Sequence, residues 1–239
     1  MRYERPLIPA TFLERSKRFS VLARIGAHAD ASEVWCHCPN PGRLTSCLDW
    51  AGTPLFLSPI PLNPKKPEGL RYRTEQSMPE PGVRVGINPN RANSLALEEL
   101  GGPRHFLRGW EYVGSEIAYG SGSRIDHLFT IESGRLCYVE VKSVTYREGT
   151  RALFPDAVSE RALRHLSEML DQIRKGHRAL LFFVVQRADC QSVAPAEEVH
   201  PAYGKALREA FSQGLEIQAG LFSPDDAGID FLREIPVEL

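Results

Sequence analysis

Short apolar-rich runs, several of them alternating with polar residues, fill the first third of the chain: RFSVLARIG, SEVWCHC, TPLFLSPI and GLRYRTE. Successive side chains of a strand point to opposite faces, so these runs read as partly buried strands. Turn residues alternate with them, and no long amphipathic pattern intervenes. Short strands with Gly and Pro punctuation predict a small β-barrel over residues 1–86. The Pro-, Gly- and Asn-rich segment TEQSMPEPGVRVGINPN reads as a boundary near residues 75–90.

Beyond that boundary the period changes. NRANSLALEELG has a Gly stop directly after its last apolar residue and reads as a short helix. Three strand candidates follow, WEYVGSEIAY, RIDHLFTIES and LCYVEVKSVT. Residues 155–176 place Val158, Ala162, Leu166, Met169, Leu170 and Ile173 at helical spacing, with Pro155 at the start and Gly176 at the stop. RALLFFVVQ is a continuous apolar run of strand length, expected of a strand buried on both faces. A helix over 201–213 and a strand at LEIQAGLF complete the series. The alternation predicts an α/β domain over residues 87–239, with helices around a central mixed sheet.

One of these strands carries charge where valine would serve. In CYVEVKSVT, Tyr138, Glu140 and Lys142 share one face, and Val139 and Val141 share the other. Asp126 lies one strand upstream, in SRIDHLF. In adjacent antiparallel strands it would face Glu140, with Lys142 alongside. Two carboxylates and a main-chain carbonyl make an oxygen-rich site suited to Mg2+. Such a metal lowers the pKa of a bound water and polarises a phosphodiester. A lysine beside it would orient that water or stabilise charge developing on the phosphate. The spacing alone fits a salt-bridged sheet face equally well, because cross-strand charge pairs also stabilise sheets.

Composition narrows the setting. With 42% hydrophobic and 25% charged residues, the 239-residue chain is ordinary globular material with room for one large or two modest cores. No segment reaches the about 20 successive apolar residues of a membrane helix. Charges and prolines break the opening MRYERPLIPATFLERSKRF, so the expectation is a cytoplasmic protein without a secretory signal. Five cysteines fit free thiols in a reducing compartment, and Cys36, His37, Cys38 and Cys47 lack the second matched pair of a zinc site. The net charge of −1 conceals an asymmetry: residues 1–86 carry 12 Lys and Arg against 8 Asp and Glu, leaving 17 against 22 for the remainder. A basic first part suits a polyanion partner, although a solvated surface explains so small an excess nearly as well.

RIDHLF, CYVEVKSVT and FPDAVSERALRHL resemble, in order and spacing, segments of the sugar fermentation stimulation protein A family, as do CPNPGRL and INPNRANSLALEEL upstream. The likeness extends over nearly the whole chain. It implies an N-terminal OB-like barrel, a following restriction-endonuclease-like (PD-(D/E)xK) α/β domain, and DNA binding, with RNA left open because an OB barrel takes either. Carried over position by position, it implies Asp126, Glu140 and Lys142 as the acid, acid and lysine of a nuclease site, with Glu98 as a helix-borne carboxylate. Asp126, Glu140 and Glu98 would then hold Mg2+ or Mn2+. The expectation is a DNA-binding protein with a metal-dependent phosphodiesterase site. The alternative is a nonspecific DNA-binding accessory protein whose nuclease fold is catalytically silent. Monomer and homodimer both stay open.

Nucleic-acid contacts are expected at Arg43 in CPNPGRL and at Lys65, Lys66, Arg71 and Arg73 around Tyr72, which reads either as a stacking face or as a sheet aromatic between solvated charges. Arg124, in the turn YGSGSRID, is a further phosphate contact. Pro41 and Pro67 depart from the family pattern in these segments. Asp156 and Glu160 read as helix N-terminal residues or as the rim of the metal site. Arg161 and Arg164 read equally as phosphate contacts or solvated charges. His127 would point away from Asp126 and reads as structural.

Overall fold

The structure is a computed structural model and describes residues 1–26, 30–61, 69–102, 107, 109–120, 122–131 and 133–239. Its barrel is built from β1 (Ile8–Ser16), β2 (Ser20–Ile25), β3 (Ser32–His37), β4 (Pro54–Pro59) and β5 (Tyr72–Glu80), with β6 (Val83–Gly86) folded back on β5. Strand order is β3-β2-β1-β4-β5-β6, and pairing of His37 with Arg73 joins β3 to β5 and closes the five-stranded ring. Alternation sorts the side chains. Val21, Ala23, Cys36, Cys38, Leu55 and Leu57 turn inward, joined by Cys47 from the loop before β4, while Trp35 stays exposed outside. The three cysteines are thus apolar core residues, and burial pushes the Cys36 and Cys47 thiols up to about 12.

Two barrel elements differ from expectation. β1 was hidden because IPATFLERS mixes Pro, charge and apolar residues, yet it lies between β2 and β4. The stretch read as a boundary is largely the β5–β6 hairpin, turning at Gly82 with φ +80°. Pro79 sits where the ladder is interrupted between Ser77 and Glu80, a place that tolerates a missing N–H.

A 3-10 turn (Pro89–Arg91) leads into α1 (Ala92–Leu100). Then come β7 (Glu111–Tyr119), β8 (Ser123–Thr130), β9 (Leu136–Val144), β10 (Tyr146–Glu148), β11 (Arg151–Phe154) and α2 (Glu160–Arg174). β12 (Arg178–Val185), β13 (Ser192–Pro195), α3 (Pro201–Ser212), β14 (Glu216–Pro224) and β15 (Ile229–Ile235) complete the chain. The main sheet has the order β15-β14-β12-β9-β8-β7, with β9, β12 and β14 parallel at its centre and antiparallel strands towards both edges. It is the mixed sheet the sequence announced. α1 covers Val139, Val141, Leu180, Phe182 and Val184 on one face. α2 and α3 cover Tyr138, Leu181, Phe183 and Val185 on the other. α2 starts later than its apolar spacing suggested. Ser159 caps it by accepting from the Ala162 N–H at 3.2 Å, and Val158 lies outside the helix, exposed.

The two domains are fused through buried polar groups. The Gly86 N–H donates to Gln186 O at 2.8 Å. Arg187, fully buried, donates from Nη1 to Thr145 O at 2.8 Å and to Ser46 Oγ at 3.0 Å. Asp189 holds the other edge of that guanidinium at 2.7 and 2.8 Å. The first residues leave the barrel altogether: Met1 and Tyr3 pack on the α1-side core, and Arg2 bridges to Gly228.

Candidate active site

The ladder between β8 and β9 runs to the pair His127–Val139, and the next step of that register sets Asp126 opposite Glu140. There the strands part. Oδ2 of Asp126 accepts from the Val141 N–H at 2.7 Å, and its Oδ1 accepts from Nδ2 of Asn93, on α1, at 2.9 Å. Glu140 is 2% exposed and points towards α2. Its Oε1 accepts from Nζ of Lys142 at 2.5 Å and from Nδ1 of His165. Nε of Arg161 donates to Nε2 of His165 at 3.2 Å, which makes Nε2 the acceptor and leaves the ring proton on Nδ1. Oε2 of Glu140 is buried without a hydrogen-bond partner.

These surroundings split the two acids. Burial pushes the Asp126 carboxyl up to about 6, with the Glu140 charge adding to it and the Val141 hydrogen bond opposing. Burial acts on Glu140 too, but Lys142 and His165 outweigh it and hold that carboxyl below its ordinary value. The surroundings thus favour the ionised form of Glu140 and disfavour that of Asp126.

The acids open into a cleft of about 290 Å³ that Asn40, Pro41 and Gly42 of the barrel line together with Asp126, Glu140 and Lys142. That barrel turn is rigidly held. Oδ1 of Asn40 accepts from the Gly42 N–H at 2.8 Å, and Arg15 donates to the carbonyls of Asn40 (2.6 Å), Gly42 (2.7 Å) and Arg43 (3.1 Å). Asp156 locks it from the α/β side, accepting from the Leu44 N–H at 3.2 Å. A Cβ on Gly42 would lie 2.6 Å from Cγ of Asp156, so a larger residue here would displace this carboxylate. Asp156 therefore docks the barrel instead of capping α2, and Glu160 is an exposed first-turn acid.

The structure brings Asp126, Glu140 and Lys142 together and leaves Glu98 out. Glu98 is 59% exposed and pairs with the Met1 amine at 2.7 Å. Five residues along a helix amount to about 140° of rotation, so Asn93 takes the place on α1 that faces Asp126 and Glu98 turns away. His127 is buried, its Nε2 bonded to Asn93 O at 2.9 Å, and plays a structural part. Arg43 is exposed and lines a second groove of about 390 Å³ with Arg15 and Arg18, across Pro41 and Gly42 from the acids. Arg161 lines the acid cleft, whereas Arg124 and Arg164 are exposed. Tyr72 is half-buried against the barrel core; Arg71 is exposed and Arg73 half-buried. Lys65 and Lys66 lie outside the described residues. Among the described residues no three His, Cys, Asp or Glu side chains gather closely enough to share a metal. Asn93 and His165 were not anticipated. The available signal for His165 was a polar residue three positions after Ala162, on the core-facing side of α2.

An OB barrel fused to a restriction-endonuclease-like α/β domain is the class these features define. Within it, the chain belongs to the sugar fermentation stimulation protein family: the SfsA N-terminal OB domain profile matches residues 13–87, and the sugar fermentation stimulation protein RE domain profile matches residues 88–227. The chain is 40% identical to the sugar fermentation stimulation protein homolog of Geotalea uraniireducens over 98% of each chain. It is 41% identical to the homolog of Pelobacter propionicus, again over 98% of each. Among solved structures, Pyrococcus furiosus SfsA in complex with Ca2+ is similar with a TM-score of 0.85 and 28% identity, covering 100% of this chain and 98% of its own.

Proposed function

We propose that the protein hydrolyses phosphodiester bonds in DNA, using a divalent cation, Mg2+ or Mn2+, held by Asp126 and Glu140. The observation that carries this reading is the pair itself: two carboxylates of opposed pKa across a parted strand pair, with Lys142 beside them in a cleft. Mg2+ is commonly held by one or two carboxylates, with waters and substrate phosphate completing its six oxygens. Oε2 of Glu140, buried without a partner, is an acceptor that a cation would satisfy. The relative's complex with Ca2+ supports an affinity for hard cations in this chain too. When bound, the cation would polarise the phosphodiester and acidify a water.

The chain's own residues do the rest. Asn93 and the Val141 N–H orient Asp126, and His165 orients Glu140. Lys142 supplies positive charge where the phosphate becomes more negative. Arg161 in the cleft, with Arg43 and Arg18 in the adjoining groove, offers backbone contacts that position a strand without reading its sequence. Glu98 has no part in this reading.

A second reading, a silent nuclease fold that only binds DNA, draws on the fact that Oε1 of Glu140 is already shared by Lys142 and His165. Calorimetric titration of Mg2+ and Mn2+ into wild type, Asp126→Asn and Glu140→Gln, paired with cleavage assays on single-stranded, duplex and branched DNA, separates the two. Metal uptake and cutting that both vanish in the variants are the expected result. Wild-type protein that binds DNA but takes up no metal and cuts nothing would overturn the enzyme reading.

A further inference from the structure

A second cleft, about 580 Å³, opens between the N-terminal segment and strands β4 and β5. It shares no lining residue with the acid cleft. Four arginines, Arg2, Arg5, Arg73 and Arg91, line it together with Tyr3 and one carboxylate, Glu4.

The four cations are unequally engaged. Arg91 donates to both oxygens of Glu75, at 3.0 and 2.8 Å, and its guanidinium lies 5.7 Å from the centre of the Tyr3 ring. Arg2 pairs with Asp230 at 2.6 Å on the surface. The side chains of Arg5 and Arg73 have no hydrogen bond or ion pair among the described residues. Arg73 is half-buried, and its Nε is closed off from solvent with no acceptor. The neighbouring acid is saturated, because Glu75 also accepts from Ser58 Oγ at 2.7 Å and Asn88 Nδ2 at 2.9 Å.

A guanidinium partly withdrawn from water with an unused N–H is costly. The planar fork of arginine matches the oxygens of a phosphate. We propose that this cleft binds a phosphate group, with Arg73 as the central donor and Arg5 beside it. Its volume falls within the roughly 300–1,000 Å³ of small-molecule sites, so a nucleoside attached to the phosphate has room. The phosphate belongs either to the backbone of a nucleic-acid strand or to a free nucleotide. Glu4 opposes the anion and sets an upper limit on affinity. The site does not depend on the proposed hydrolysis.

The test is a binding titration in EDTA, using inorganic phosphate, thymidine 3′,5′-bisphosphate and a short oligothymidylate as probes. Wild type is expected to bind the bisphosphate, the oligomer or both. Arg73→Gln should weaken that binding about tenfold or more while keeping the wild-type Tm. Arg73→Lys should fall between them, and Glu4→Gln should tighten binding. Bisphosphate binding as tight as the oligomer's identifies a nucleotide site, and binding of the oligomer alone identifies a strand-backbone site. A wild type that binds no probe, or an Arg73→Gln protein that binds all of them as wild type does, overturns the proposal.

Discussion

Nδ1 of His165 donates to the same Glu140 oxygen that Lys142 holds, while Arg161 fixes the far side of the ring as the acceptor. A helix residue thereby sets the position of a strand carboxylate. His165→Ala would leave Glu140 buried with one donor fewer, a cost of about 2 kcal/mol. For a chain of this size that lowers Tm by roughly 4–8 °C. His165→Gln, which retains an N–H, is expected to recover part of the loss in thermal denaturation; equal damage from both would show that the ring's packing matters and its proton does not.

Asp126 gives a pH signature. Its carboxyl ordinarily titrates at 3.8 and here at about 6. Between those values the folded chain holds a proton that the unfolded chain has released, so this group's contribution falls as pH rises and is gone above about 6. Asp126→Asn has no such term, and Asn93 can turn its amide over to preserve both hydrogen bonds. In EDTA at pH 8 the variant is expected to exceed wild type by on the order of 2 kcal/mol. The difference should vanish below pH 4, and parallel stability curves would refute it.

On the proposed function, the same residue would govern metal binding. Because the cation competes with the Asp126 proton, its affinity is expected to climb with pH up to about 6 and then level off. Calorimetry at a series of pH values measures this; an affinity flat from pH 5 to 8 would exclude Asp126 as a ligand.

Gly42 and Asp156 form a separable pair. Gly42→Ala forces its methyl against the carboxylate and should cost about 1–3 kcal/mol. Asp156→Ala removes the obstacle along with one hydrogen bond, so the double variant should be more stable than the sum of the singles predicts. Additive losses in a double-mutant cycle would mean that the two residues do not meet in solution.

Arg187 is the fifth test. Arg187→Met fills the space but takes away the two-pronged donor of Asp189, leaving it the Arg147 ion pair at 3.0 Å, and leaves the carbonyl of Thr145 only the Cys47 thiol at 3.4 Å. Removing one partner of a buried pair costs about 3–5 kcal/mol. Calorimetry is expected to show the single transition broadening or splitting as the barrel uncouples, while an unchanged sharp transition would assign the coupling elsewhere.

The fold was legible where periodicity was clean. RALLFFVV read as a strand buried on both faces and is one, while the charges of CYVEVKSVT set Glu140 and Lys142 apart although their spacing alone fitted a salt-bridged sheet face equally well. β13 and β15 were missed because SVAP is too short, and IDFLREI too mixed, for either period to register. Glu98 was assigned from the resemblance alone, and in the structure it lies apart from the acids. A helix pattern tells that a residue is on α1 but not which neighbour each turn meets, and the N-terminal amine, distant in sequence, holds it. Asn93 lacks charge and so drew no attention, although it is what reaches Asp126.

The turn Asn40–Gly42 belongs to the barrel, yet it forms part of the wall around acids carried by the other domain. The cleft is therefore a property of the joint. Severing the chain after Gly86 would give two fragments, each lacking part of the cavity, and neither could be exchanged for a homologous half without its matching lock at Asp156 and Arg187. Substitutions in the barrel loop act on the shape of the acid cleft as directly as substitutions in the sheet beneath it.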